Sequence, residues 1–128
     1  MLHIILVTLR REIFHSFVEC LSSDPEVCLE QVTSGAEALG IVRTESPHLV
    51  IVDSEVPDTD PLGLVREMIS ANAMVNTAVV SALSDREFHE AAEGFGILCR
   101  LPLDPGPGEA EGLLKKLRSV LMYAASSI

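Results

Sequence analysis

The stretch that most constrains the fold is a run of four apolar residues, Leu49 to Val52, that ends on the carboxylate of Asp53. A turn signal, Pro57 followed by Asp58, comes shortly afterwards. A short apolar run closed by turn residues is typical of a strand that is buried on both faces, as strands of parallel sheets are. Because ligands bind at the carboxyl ends of such strands, Asp53 is a candidate functional residue.

Elsewhere the chain alternates apolar runs with segments of helical periodicity, the first of which starts at Ile13. Five such units without a long linker predict a single doubly wound (βα)5 flavodoxin-like domain with a parallel five-stranded sheet. The domain is predicted to span residues 1–128, with a core of 2–123. The strand order 2-1-3-4-5 places Asp53 beside the loop after the first strand, with Ser81 nearby. The other predicted strands cover residues 4–7, 27–32, 77–81 and 97–99.

Local signals mark the starts of helices. Ser34 and Glu37 have the spacing of a capping box, and Ser84 is placed to cap the fourth helix. Asp58 and Asp60 are interpreted as turn residues.

Composition narrows the function classes. The formal net charge of -10 argues against a nucleic-acid or anionic-membrane surface, which needs clustered Lys and Arg. Cys20, Cys28 and Cys99 have no CxxC spacing, which predicts reduced thiols rather than disulfides or a zinc site. The four histidines show no ligand spacing either. Met1–Val7 lacks a basic leader and is interpreted as a strand, so we expect a cytoplasmic protein.

The ordered set of motifs resembles the receiver domain of bacterial response regulators. The stretch SGAEALGIVRTESPHLVIVDSEVPDTDPLGLVREM is similar to the family's second helix, third strand, phosphoacceptor loop and third helix. TAVVSALSD resembles the fourth strand, and GFGILCRLP the fifth strand with the Pro that follows it. The likeness covers residues 2–123 and implies a role in two-component, or phosphorelay, signal transduction.

In that family an acidic pair holds Mg²⁺, an Asp takes a phosphoryl group from a histidine kinase, and a hydroxyl and a Lys bind the phosphoryl oxygens. Carried over by the resemblance, Asp53 occupies the phosphoacceptor position and Ser81 the hydroxyl position. The remaining positions depart from the family pattern. They are Thr8 and Leu9 at the acidic pair, Leu101 at the Lys, Leu98 at the aromatic switch and Pro61 at the Gly that opens the third helix.

These departures remove the charges that phosphotransfer needs, since a phosphorylated carboxylate gains about two negative charges. Asp53 is the only obvious side-chain ligand for Mg²⁺, Glu55 offers a backbone carbonyl, and Leu101 cannot donate a hydrogen bond. Loss of metal and Lys together weakens transition-state stabilisation. We therefore expect little or no Mg²⁺-dependent phosphorylation, no resident cofactor and no enzymatic activity.

Two arginines follow the acidic-pair positions. A pairing of Arg10 or Arg11 with Asp53 would lower the carboxyl pKa and imitate the charge of the metal. We favour the other interpretation, in which both are solvated at the start of the first helix. Arg100 is expected to point to the opposite face of its strand from Leu101.

Asp53 and Ser81 each have a second interpretation. Asp53 can serve as a cap of the loop after its strand, although we favour a remnant of the phosphoacceptor site. Ser81 is either a remnant that contacts the phosphoryl group or a cap of the turn before the fourth helix, and both interpretations stay open.

The favoured hypothesis is a degenerate receiver that signals by protein–protein contact. The resemblance implies a docking surface on the fourth helix, fifth strand and fifth helix, and as partners a histidine kinase, a downstream effector or a second copy of the chain. Two copies that pair constitutively are one form of this hypothesis. The predicted surface includes Arg86, His89, Glu90, Glu93, Lys115, Arg118 and Met122.

Two alternatives remain. In the first, the chain is a working phosphoacceptor that a histidine kinase phosphorylates on Asp53 with Mg²⁺. In the second, it is a phosphohydrolase with Asp53 as nucleophile, which the absence of converging acids or a Lys disfavours.

Overall fold

The apolar runs of the sequence form one parallel sheet. Helices cover both faces of this sheet, which is why its strands are largely apolar. The computed structural model describes residues 1–126, so the last two residues of the predicted domain lie outside it. The strand order is β2-β1-β3-β4-β5, as predicted. The strands are β1 (Leu2–Val7), β2 (Val27–Val32), β3 (Leu49–Val52), β4 (Asn76–Val80) and β5 (Cys99–Leu101).

A helix follows each strand and returns the chain to the opposite end of the sheet. The helices are α1 (His15–Ser22), α2 (Gly35–Glu45), α3 (Pro61–Ala71), α4 (Asp85–Ala91) and α5 (Pro107–Ser126). Among the described residues, none of these helices is long and apolar enough to cross a membrane.

β3 lies at the centre of the sheet and is completely buried. Its side chains alternate between two hydrophobic clusters, as the period of a strand requires. Leu49 and Ile51 pack in the cluster beneath α1 and α5. Val50 and Val52 pack in the cluster beneath α2, α3 and α4. This double burial is why the strand has no polar residue before Asp53.

Two elements start later than the sequence pattern predicted. Residues 11–14 form a turn, so α1 begins at His15 and Ile13 is exposed. β5 covers Cys99–Leu101 rather than residues 97–99, because the chain leaves α4 through Gly94 and Gly96 at positive φ. Ile97 and Leu98 pack against the core before β5, and Leu98 donates its backbone N–H to the Thr77 carbonyl over 2.7 Å, but the paired register with β4 begins only at Cys99.

The parallel register brings the carboxyl ends of the central strands together. Val7 pairs with Val52, and Val52 pairs with Val79. The residues that directly follow these strands therefore share one edge of the sheet, at which Thr8, Asp53 and Ser81 lie.

Candidate functional site

Asp53 is the buried carboxylate at the carboxyl edge of the sheet. Its backbone N–H donates to the carbonyl of Val7 over 3.0 Å, which extends the pairing of β1 and β3 by one residue. Its side chain is only 1% exposed. A charge this deeply buried needs hydrogen-bonding partners within the protein.

Three neighbouring residues supply those partners. Arg10 binds the carboxylate in a bidentate manner, with Nη2 2.6 Å from Oδ1 and Nε 2.9 Å from Oδ2. The Thr8 hydroxyl donates to Oδ2 over 2.7 Å, and the Ser54 backbone N–H donates to Oδ1 over 2.7 Å. Both oxygens of Asp53 are thus occupied by donors of the chain itself.

The guanidinium of Arg10 is fixed by further contacts. Its Nη2 also donates to the carbonyl of Leu103 in the loop after β5, over 3.0 Å. The guanidinium lies 5.6 Å from the centre of the Phe14 ring, within the range of a cation–π contact. The Thr8 hydroxyl accepts the backbone N–H of Arg10 over 2.8 Å while it donates to Asp53. The Arg10 side chain therefore links the loops after β1, β3 and β5.

These contacts set the protonation of the pair. Burial raises the pKa of Asp53, but the hydrogen bonds from Arg10, Thr8 and Ser54 lower it by more, so the carboxyl pKa lies below its ordinary value. The same bond raises the pKa of Arg10. Asp53 is therefore an anion whose charge is neutralised by a cation in direct contact.

The prediction that both arginines are solvated is wrong for Arg10. Because residues 11–14 form a turn instead of helix, Arg10 lies in a loop that folds back over the sheet edge. Arg11 is exposed, and its Nε lies 3.4 Å from the Gln31 amide oxygen. The sequence did contain a signal for the pair, since a buried strand-end carboxylate without a metal site requires a cation nearby.

Ser81 directly follows β4 and takes part in a local turn. Its hydroxyl accepts the Leu83 backbone N–H over 3.2 Å, as a cap does. Its carbonyl accepts from Nη1 of Arg100 over 3.0 Å, so Arg100 lies on the face of β5 opposite Leu101, as predicted. Ser81 also lines a largely apolar cavity of about 630 Å³ together with Arg10 and Ser54. The structure is thus compatible with both interpretations of Ser81.

The other family positions lie as follows. Leu9 is 60% exposed. Leu101 is 3% exposed and packs in the core beneath α1 and α5, where Leu98 packs at the margin. Pro61 begins α3 next to its N-cap, Asp60. None of these four side chains brings a charge to Asp53.

The sequence interpretation missed a long-range cap. The Asp58 carboxylate accepts the backbone N–H groups of Gly35 and Ala36, over 2.8 and 3.0 Å, at the start of α2. These bonds lower the pKa of Asp58. Asp60 caps α3 locally by accepting from Gly63 over 2.8 Å. Asp58 thus lies in a turn, as predicted, and also caps α2, while Asp60 is the N-cap of α3.

Only some residues of the predicted docking surface lie where the resemblance implied. Its α4 members are exposed, as is Met122 on α5. Arg118, however, donates to Asp24 over 2.7 Å, and Lys115 lines the same groove between α1 and α5. The prediction from the resemblance, which put these two residues on a shared surface with α4, is therefore wrong, because they lie at the groove between α5 and α1.

The chain is similar to solved structures, whereas its sequence matches no family model and no curated protein. Solved structures do match over nearly the whole chain. A CheY-like response regulator receiver domain protein from Methanospirillum hungatei is 17% identical, with a TM-score of 0.80 over 100% of this chain and 99% of that one.

Two further structures give the same result. The chemotaxis response regulator CheY4 of Vibrio cholerae is 17% identical, with a TM-score of 0.78 over 91% of this chain and 98% of that one. The signal receiver domain of an HD domain-containing protein from Pseudomonas fluorescens is 21% identical, with a TM-score of 0.78 over 98% of this chain and 90% of that one. The structural neighbours are thus receiver domains, and the chain has their fold.

Proposed function

We propose that the chain is a receiver-type module of two-component signalling in which a fixed ion pair stands in place of the phosphorylation switch. The observation that carries this proposal is the bidentate contact of Arg10 with Asp53. It provides at the phosphoacceptor position the neutralising charge that a metal would otherwise provide. Signalling then depends on contact with another protein and not on acquired phosphate.

Magnesium does not fit the side chains around Asp53. Mg²⁺ requires oxygen ligands in octahedral geometry, commonly one or two carboxylates with several waters. Here both carboxylate oxygens accept from Arg10, Thr8 and Ser54. The side chain that follows β1 beside Asp53 is the neutral Thr8 hydroxyl, which adds no second negative charge and already donates to Asp53 and accepts from the Arg10 N–H. We derive no metal-assisted step for this site.

The same contacts argue against catalysis. A nucleophilic carboxylate needs a partner that activates it or stabilises the developing charge. The donors on Asp53 stabilise its ground state, so they reduce its nucleophilicity. We infer that the chain is not an enzyme, and that its partners are proteins: a histidine kinase, a downstream effector or a second copy of the chain in the cytoplasm.

One observation favours the alternative of a working phosphoacceptor. Ser81, at the hydroxyl position, lines the same cavity as Arg10 and Ser54. If Arg10 swung aside, it would remain within reach of a phosphoryl group on Asp53 as a bidentate ligand.

Incubation with acetyl phosphate and Mg²⁺, followed by mass spectrometry of the intact chain, decides between the two. Our proposal expects no phosphoryl adduct on the wild-type chain. A gain of one phosphoryl group that Asp53→Ala abolishes, and that the cap variant Asp60→Ala retains, would establish the alternative instead.

A further inference from the structure

Three metal-ligating side chains converge at the opposite end of the sheet from Asp53. They are His3 on β1, Glu30 on β2 and Glu45 at the end of α2. One ligand atom from each lies within 4.8 Å of the other two. We propose that they form a binding site for a divalent transition-metal ion of the zinc type.

The distances suit a tetrahedral ion. His3 Nε2 lies 3.5 Å from Glu30 Oε1. Two ligands of a tetrahedral zinc, each about 2.0–2.1 Å from the ion, are about 3.3 Å apart. The Glu45 side chain is exposed and can close the remaining gap by a change of rotamer. One imidazole, two carboxylates and a water complete a four-coordinate zinc.

Charge also favours a cation here. Glu45 is the last residue of α2, where the partial negative charge of the helix end disfavours a carboxylate. Among the described residues, neither Glu30 nor Glu45 pairs with a Lys or Arg. The two carboxylates therefore repel each other, and a bound ion removes that repulsion.

The backbone of His3 is held in place by His48, the residue directly before β3. Its N–H donates to Nδ1 of His48 over 3.0 Å, and its carbonyl accepts from the His48 N–H over 2.9 Å. The imidazole is thus presented from a fixed point on β1. Imidazole favours zinc, copper or nickel, whereas magnesium favours oxygen ligands alone. The site therefore selects against Mg²⁺.

The ion would join β1, β2 and α2 without reaching the Asp53 site. His3 lies four residues before Val7 on β1, which is about 13 Å along the strand. Sequence spacing gave no sign of this site because its ligands are far apart in the chain. Only the β1–β2 pairing and the end of α2 bring them together.

Titration of the full chain with ZnCl₂ against a chromophoric chelator, with thiols kept reduced, tests the site. We expect one zinc per chain, a higher melting temperature with zinc, and no such effect of Mg²⁺. His3→Gln and Glu45→Gln should each weaken zinc binding more than about tenfold. Far-UV circular dichroism checks the fold of each variant, and Glu45→Gln alters only an exposed helix end.

His15→Gln is the matched control, because His15 and Glu19 form a similar pair, 3.0 Å apart, on the surface of α1. This variant should bind zinc as the wild type does. So should Cys28→Ser, which alters the exposed thiol opposite His3 on β2. No zinc binding by the wild type, unchanged binding in His3→Gln or Glu45→Gln, or loss of binding in Cys28→Ser would overturn the proposal.

Discussion

Arg10 Nη2 lies 2.6 Å from Asp53 Oδ1, and Arg10 Nε lies 2.9 Å from Asp53 Oδ2, so the guanidinium is bound edge-on to the carboxylate. The two residues are 43 positions apart in the sequence. The pair joins the end of the central strand to the loop after β1 and, through Leu103, to the loop after β5. A permanent cation thus occupies the carboxyl edge of a receiver fold.

Removal of the cation should destabilise the protein. Arg10→Ala leaves the buried Asp53 charge with only two donor residues, which costs about 1–3 kcal/mol in free energy of unfolding. We expect the lower half of that range because the Arg10 side chain is 32% exposed. Urea denaturation followed by circular dichroism measures it.

Arg86→Ala is the control, since Arg86 pairs with Glu90 on the exposed surface of α4 over 3.6 Å. Its unfolding free energy should change by less than about 0.5 kcal/mol. Equal effects of the two substitutions would mean that the Arg10 contact is not formed in solution.

The lowered pKa of Asp53 should make its contribution to stability depend on pH. A depressed carboxyl pKa contributes stability that is fully present above the unfolded pKa of about 3.9 and is lost as pH falls through the folded pKa. The difference in unfolding free energy between wild type and Asp53→Asn should therefore be constant near neutral pH and shrink below about pH 4. Urea titrations from pH 7 to pH 2.5 measure it. A difference that grows with acid would contradict the ion pair.

A second carboxylate in place of Arg10 should create a response to Mg²⁺. Thr8→Asp combined with Arg10→Ala places two carboxylates in contact and removes the cation. We expect Mg²⁺ at about 10 mM to raise the melting temperature of this double variant and to leave that of the wild type unchanged, because only a ligand that binds the native state stabilises it. Differential scanning fluorimetry gives the comparison. A similar rise in the wild type would show that Asp53 already binds the metal.

Loss of the Asp58 cap should loosen the start of α2. Asp58→Ala removes the acceptor of the Gly35 and Ala36 amides, so their hydrogen exchange should become faster. Asp60→Ala removes the cap of α3 instead and should speed exchange at Gly63 while α2 keeps its protection. Exchange at Gly35 that is the same in wild type and Asp58→Ala would rule out this cap.

Local sequence patterns predicted most of the fold. β2 was predicted at its observed bounds because alternation and the Pro25 turn define it, and Asp53 was identified because an apolar strand ends on it. β5 was placed two residues early because Ile97 and Leu98 pack against the core before the paired register with β4 begins at Cys99. Five βα units predicted a doubly wound domain, and the strand order was predicted as that of the flavodoxin-like fold.

The missed features depend on contacts between residues distant in the sequence. Arg10 was taken for a solvated residue because helical periodicity hid the turn at residues 11–14. The Asp58 cap joins positions more than 20 residues apart. Lys115 and Arg118 were assigned to the α4 side by the resemblance, which does not fix which face of α5 each residue occupies. Each of these needs the relative placement of elements, which no local pattern contains.

The most direct test of the central claim is ¹⁵N NMR of the wild-type chain with Mg²⁺ and beryllofluoride, which binds a phosphoacceptor Asp as a phosphoryl analogue. If Arg10 permanently occupies the Asp53 carboxylate, the amide signals of Asp53, Ser81, α4 and β5 should not move. Shifts at Asp53 that extend to α4 and β5, and that Asp53→Ala abolishes, would contradict the account.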